Sequence, residues 1–185
     1  MQVEQLSPEM FPTVGLVGEK TKILPFKESD ITPAYISWLN DQAVVRYSNQ
    51  RFRKHDEVSS RAYLSSFAGT RNLFLSIKKI DDESSIGTLT VYVATQHQTA
   101  DIGILLGEMS IWGRGYGFDA WRTISDWLLE KCRMRKVTGG TIASNTAMKS
   151  IFERSGMQLD GIRKAQELVD EVPTDVIYYA RFQHA

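Results

Sequence analysis

Glycine occupies every second position in Trp112-Gly113-Arg114-Gly115-Tyr116-Gly117, between a β-branched segment and an apolar helical pattern. Glycines let a ligand approach the backbone and let the chain adopt dihedrals that other residues avoid. A helix starting here leaves its first N–H groups without partners, and its dipole adds partial positive charge. Together these features suit a pyrophosphate, and Arg114 can add a charge-assisted contact. Two familiar glycine-rich sites do not fit. A P-loop needs Gly-Lys-Ser/Thr, whereas Phe118-Asp119 follow Gly117. A dinucleotide-binding unit needs an acidic residue at the end of the next strand, which here reads Thr141-Ile142-Ala143-Ser144. A tight strand-to-helix turn without a ligand remains the alternative.

The elements around this loop follow from periodicity. Thr21 to Phe26 reads as a strand. Ser29 or Asp30 would cap a helix through Ile31, Tyr35, Trp38 and Leu39, with Pro33 in its first turn. His55-Asp56-Glu57 opens a second helix that carries Ala62, Tyr63 and Phe67 and ends near Gly69. Leu73 to Ile80, Ile86 to Ala94 and Ala100 to Gly107 form an antiparallel meander with polar turns. After the loop, Trp121, Ile124 and Leu128 make one helical stripe. A strand at Lys136 to Ile142, a helix from Ser144 or Asn145 to Gly156, and strands at 157–169 and 172–182 complete the chain. The order is β-α-α-β-β-β-α-β-α-β-β, a mixed α+β single domain over 1–185, with residues 1–15 as a loose arm.

Composition narrows the function classes. The 185 residues are 42% hydrophobic and 24% charged, ordinary for a globular protein. Lys+Arg and Asp+Glu balance at 22 each, so no global field favours nucleic acid or a membrane surface. Cys132 is the only cysteine and follows an apolar helical pattern, which predicts a packing role. The three histidines lack ligand spacing, so no metal is expected. Without a signal peptide or a long apolar run, a soluble cytoplasmic protein is expected.

Three segments in order carry a resemblance. Trp112 to Gly117 is similar to the pyrophosphate loop of the GNAT N-acetyltransferase superfamily, Gln/Arg-x-x-Gly-x-Gly/Ala, with Gly115 and Gly117 matching. Trp112 replaces the usual Gln or Arg, as in the ribosomal-protein N-terminal acetyltransferase (RimJ/RimL-type) branch. Asn145 to Met157 resembles the family's Asn-x-x-Ser-x-x-x-x-Glu-Lys-x-Gly-Phe segment, with Met148 and Met157 as departures. Ser37-Trp38-Leu39-Asn40-Asp41 is also typical of that branch. The resemblance spans roughly residues 20–182. It implies a GNAT-like, mostly antiparallel twisted sheet of about seven strands flanked by helices.

The same resemblance implies acetyl-coenzyme A as cosubstrate and a primary amine as acceptor, of a small metabolite such as an amino sugar or of a protein N-terminus. A non-catalytic acetyl-coenzyme A-binding module and a structural or interaction protein with a vestigial fold are the other classes. The loop from Trp112 through Gly113, Arg114, Gly115, Tyr116 and Gly117 to Phe118 would hold the coenzyme. Leu105, Leu106 and Gly107 would pair with its pantetheine arm, and the Leu106 N–H would stabilise the oxyanion. Asn145 would contact the coenzyme, or simply cap its helix. Asp101, at the position of the family's glutamate base, is the first candidate for deprotonating the amine, and Glu108 is the second. Phe152 stands where many members carry a tyrosine that protonates the thiolate, so thiolate departure would go unassisted or rely on water. Arg46, Tyr47, Arg51 and Trp38 fall where the superfamily builds its acceptor site, and the terminal strands allow a homodimer.

Overall fold

The computed structural model describes residues 10–183. The strands are β1 (Leu16–Val17), β2 (Thr21–Pro25), β3 (Leu73–Lys79), β4 (Ser85–Ala94), β5 (Thr99–Leu106), β6 (Lys136–Ile142), β7 (Gln158–Val169) and β8 (Val172–Phe182). The helices are α1 (Pro33–Asn40), α2 (Gln42–Val45), α3 (Glu57–Ser65), α4 (Tyr116–Asp126) and α5 (Thr146–Arg154). One eight-stranded sheet runs β1-β2-β3-β4-β5-β6-β8-β7. Every neighbouring pair is antiparallel except β5 and β6.

That parallel pair sets the site. β5 pairs with β6 only at Thr99↔Lys136, Ala100↔Val137 and Asp101↔Thr138. β4 holds the other edge of β5 along its whole length, from Thr99 to Leu106. Beyond Asp101, β5 therefore leaves β6 and offers one free edge.

The two faces of the sheet bury different helices. Ile102, Ala120, Trp121, Ile124, Leu128 and Phe152 belong to the larger core under α4 and α5. Phe26, Tyr35, Leu39 and Phe74 form a smaller core under α1 and α3, with Tyr63, Phe67 and Leu105 against it. Side chains alternate along a strand, so β5 sends Ile102, Ile104 and Leu106 to the first face. Asp101, Gly103 and Leu105 go to the second.

The mixed α+β GNAT-like fold is present, with corrections in detail. A two-residue β1 and a short α2 add to the expected order. Thr32, not Ser29 or Asp30, caps α1: its hydroxyl accepts from the Tyr35 N–H at 3.2 Å. Ser29 and Asp30 instead lie in a single 3-10 turn, and the Asp30 carboxylate accepts from the Lys27 N–H. The expected loose arm falls partly outside the described residues. Within them, Phe11 is 5% exposed and packs edge-on against Trp127 at 5.2 Å, so this part is anchored. The β7–β8 turn sits at Asp170-Glu171, both with positive φ, as a tight hairpin requires.

Candidate active site

The free edge of β5 presents usable backbone groups. The Gly107 N–H donates to Ile86 O on the β4 side. Because backbone groups alternate along a strand, the N–H groups of Ile104 and Leu106 face the opening. The Leu106 carbonyl faces it too, and it accepts a 3.1 Å hydrogen bond from Trp112 Nε1. Trp112 thus pins the loop to the end of the strand, which explains a tryptophan where Gln or Arg is usual.

The loop then turns into α4 on glycine. Gly113 and Gly115 have φ of +73° and +87°, a region that strains any other residue. Gly117 serves a different end: a Cβ there would lie 2.8 Å from the Leu106 side chain and 3.2 Å from Ile151. Its absence brings α4 against β5 and α5. No side chain caps α4. The N–H groups of Tyr116, Gly117 and Phe118 in its first turn therefore have no intrahelical acceptors. Arg114 N–H is already used, donating to Ile111 O at 3.2 Å. The amides free to meet an anion start after Arg114.

Beside them lies a cavity of about 460 Å³, lined by Ile104, Leu106, Trp112, Gly113, Gly115, Gly117, Phe118, Asn145 and α5 residues including Arg154. A second hollow of about 330 Å³ continues along the outer side of the loop. Lys20, Arg114, Arg122 and Arg154 line it. Lys20 Nζ donates to Arg114 O at 2.9 Å, and Arg154 stacks over the Phe118 ring at 4.3 Å. The β2 side of this hollow is fixed by Asp119, which accepts from the N–H groups of Glu19, Lys20 and Thr21 and from Thr21 Oγ1.

On the opposite face, against Gly103 and Leu105, is a separate cavity of about 260 Å³. Tyr35, Gln50, Arg53, Lys54, His55, Ser60 and Tyr63 supply its polar lining, and Phe74 part of its floor. Ile104 borders both this cavity and the 460 Å³ one. The two therefore share a wall residue on the part of β5 that has left β6. Tyr63 also shares a 3.1 Å hydroxyl–hydroxyl hydrogen bond with Tyr92, which lies directly across from Asp101.

The sequence-derived residues separate accordingly. Leu106, Trp112, Gly113, Gly115, Gly117, Phe118 and Asn145 line one cavity. Arg114 lines the adjoining hollow, while Tyr116 contributes its amide and receives Lys20 over its ring. Leu105 faces the smaller cavity instead. Gly107 lies against the Trp38 ring and does not line either of these two cavities. Asn145 does both things considered: Oδ1 accepts from Met148 N–H, capping α5, while the residue lines the cavity. Phe152 is corrected. It is fully buried, 5.2 Å edge-on from Trp121 and stacked 5.0 Å from Tyr179, within the core and away from the cavity.

The two carboxylates differ. Asp101 lines a shallow hollow with Asn72, Tyr92, Lys136 and Thr138. Burial raises its pKa, partly opposed by a 2.5 Å hydrogen bond from Thr138 Oγ1. Glu108 accepts from Ser110 N–H and caps the turn at Met109–Ile111, and hydrogen bonds from Ser110 lower its pKa. The acceptor residues read from the sequence also have other roles. Arg46 pairs with Asp170, and Arg51 with Glu167 and the Leu168 carbonyl, so both brace the β7–β8 hairpin. Tyr47 lines the 460 Å³ cavity. Gln50, Ser60 and Lys20 escaped the sequence reading because no motif marks them, and Arg154 stands at the Lys position of the Asn145–Met157 segment without having been singled out.

A parallel strand pair that parts beside an uncapped, cation-flanked helix start is a receptor for an extended anionic carrier. Over residues 21–158 the sequence matches the acetyltransferase (GNAT) domain, and the chain belongs to this family of N-acetyltransferases. No curated protein matches it in sequence. Among solved structures it is similar to RimL, a ribosomal-protein α-N-acetyltransferase in complex with coenzyme A (TM-score 0.79, 16% identity, covering 91% of this chain and 97% of that one). It is equally similar to a ribosomal-protein-alanine acetyltransferase from Vibrio fischeri (TM-score 0.78, 16% identity, 92% and 97% covered). A spermidine N-acetyltransferase chimera from Vibrio cholerae shares the fold as well (TM-score 0.77, 11% identity, 88% and 95% covered). These likenesses show that the chain shares the fold of these acetyltransferases. Among the described residues no helix is long and apolar enough to cross a membrane, and no cluster of His, Cys, Asp and Glu could hold a metal ion.

Proposed function

We propose that this chain moves an acetyl group from acetyl-coenzyme A to the primary amine of a small metabolite by direct attack on the thioester. The observation that supports a small acceptor is the 260 Å³ cavity on the α1–α3 face, which shares the wall residue Ile104 with the 460 Å³ cavity. Its volume is below that of typical drug-sized sites, about 300–1,000 Å³.

The residues present fit the coenzyme. The free amides of the first α4 turn, with Arg154, Lys20 and Arg114, would hold the diphosphate and the phosphorylated ribose end. The open edge of β5 at Ile104 and Leu106 would pair with the amide-bearing arm. Bound there, acetyl-coenzyme A supplies an activated acyl group on a thiolate leaving group. The Leu106 N–H faces the opening and can donate to an oxygen that gains charge as the amine attacks. Asp101, on the acceptor face of β5, receives the ammonium proton through water and the linked hydroxyls of Tyr63 and Tyr92. Its raised pKa suits a proton acceptor better than Glu108, already spent as a cap. Phe152 offers no proton, and a thiolate of ordinary thiol basicity can leave without one.

The likeness to ribosomal-protein acetyltransferases favours a second reading, with a protein N-terminus as acceptor. Release of free coenzyme A, measured against panels of small amines and of peptides, separates the two. Small amines should exceed peptides in kcat/KM by about 10²-fold. Turnover confined to peptides would overturn the small-acceptor reading.

A further inference from the structure

The acceptor cavity carries a chemical signature beyond its size. Five buried side-chain atoms among the described residues lack a hydrogen-bond partner, and three of them line this one cavity: Gln50 Oε1, His55 Nε2 and Ser60 Oγ. Leaving a buried polar atom without a partner is costly, so three around one hollow point to a ligand that satisfies them. Their positions are held from outside. Ser48 Oγ accepts from Gln50 N–H. Asn40 fixes the His55 backbone through both its N–H (2.9 Å) and its carbonyl (2.8 Å). Ser60 sits inside α3 and is 3% exposed.

The charges point one way. Arg53 and Lys54 line the same cavity, and no carboxylate does. The neighbouring acids are engaged elsewhere: Asp56 caps α3 through the Ser59 N–H, and Glu57 pairs with Arg61. Neither Arg53 nor Lys54 forms a salt bridge among the described residues. A second cationic group on the acceptor would meet repulsion here, and an anionic group would meet two cations.

We infer that the acceptor is an amine that also carries a carboxylate or phosphate. Arg53 and Lys54 receive the anion, while Gln50, His55 and Ser60 hydrogen-bond the polar body between the anion and the amine. The inference rests on the small-amine reading and names its substrate class.

The test is steady-state acetylation of matched acceptors: an amino-sugar phosphate against the free amino sugar, an α-amino acid against its amide, and spermidine. At least one anionic member should exceed its uncharged counterpart and spermidine by about 10-fold or more in kcat/KM. Which pair shows the larger ratio tells phosphate from carboxylate. The double variant Arg53→Gln/Lys54→Gln should erase that advantage, bringing the ratio of anionic to uncharged acceptor close to one. Ser60→Ala should raise the acceptor KM by about 10-fold with the acetyl-coenzyme A KM unchanged. It should not lower the melting temperature, because a buried hydroxyl without a partner is removed. Equal or better turnover of spermidine or of the uncharged acceptors would overturn the inference while leaving the small-amine reading intact. An unchanged acceptor KM in Ser60→Ala would also overturn it. Turnover of peptides alone would remove both.

Discussion

Asp119→Ala should be among the most damaging single substitutions outside the apolar core. The carboxylate is 9% exposed and accepts four hydrogen bonds: Glu19 N–H at 2.8 Å, Lys20 N–H at 3.1 Å, Thr21 N–H at 2.9 Å and Thr21 Oγ1 at 2.6 Å. Only the two Thr21 bonds are fully buried. Truncation strands both Thr21 donors, at about 1–3 kcal/mol each, while water can reach those of Glu19 and Lys20. The sum is about 3–5 kcal/mol, a large share of an ordinary domain stability of about 5–15 kcal/mol. For a chain of this size that lowers the melting temperature by roughly 10–15 °C. Asp119→Asn retains one acceptor and should lose about half as much. Gly18→Ala should resemble it, since a Cβ there would lie 2.4 Å from Asp119 Oδ2. Urea unfolding followed by tryptophan fluorescence measures all three. A loss below about 1 kcal/mol in Asp119→Ala would refute the reasoning, because it would mean that water replaces the carboxylate at no cost.

Other substitutions test the site. Gly107→Ala would place a Cβ 1.9 Å from the Trp38 ring, so it should cost about 1–3 kcal/mol and change tryptophan emission on denaturant titration. Arg154→Ala should weaken coenzyme A by about 10-fold in calorimetry, with little effect on a truncated pantetheine thioester that lacks the diphosphate. Asp101→Asn should lower kcat/KM by about 10²-fold. Burial raises the Asp101 pKa, so in the wild type the acidic fall in activity should lie at higher pH than for an ordinary aspartate. The sign for stability follows from the same shift. A raised folded pKa stabilises below the unfolded value, and that contribution is lost as pH rises through the folded one. Asp101→Asn should therefore gain stability relative to wild type as pH rises. Burial pushes the Cys132 thiol up to about 12, so native protein should resist thiol reagents at pH 8 and react on unfolding.

Much of the fold was legible because its signals are local. The strand at Lys136–Ile142 and the turn at Asp170-Glu171 read directly from β-branched runs and their polar interruption. Asn145 announced the start of α5, and Gly156, at φ +74°, its end. The glycine loop was legible for the same reason: each glycine answers a backbone requirement visible in one short segment. The contacts that complete the site are not local. Arg154 reaches the loop from α5, and Lys20 approaches it from the turn before β2, 94 residues before Arg114. Trp112 looked like a departure from a pattern, yet its indole finds the Leu106 carbonyl across a turn that no spacing rule encodes. Phe152 matched a catalytic position in sequence but turns into the core between Trp121 and Tyr179, because without a hydroxyl it has no polar end to keep near solvent. Gln50 to His55 has no hydrophobic period, so its role as the wall of a cavity appeared only when α3 and β5 came together.

The first turn of α4 is the proposed seat of the diphosphate, with its amides free of intrahelical acceptors. Titrating coenzyme A into nitrogen-15-labelled protein reads that turn amide by amide. Gly115, Tyr116, Gly117 and Phe118 should show the largest shifts, followed by Leu106 on the open strand edge, and Arg114, committed to Ile111 O, should move less. Saturable binding that leaves those four amides unmoved would contradict it.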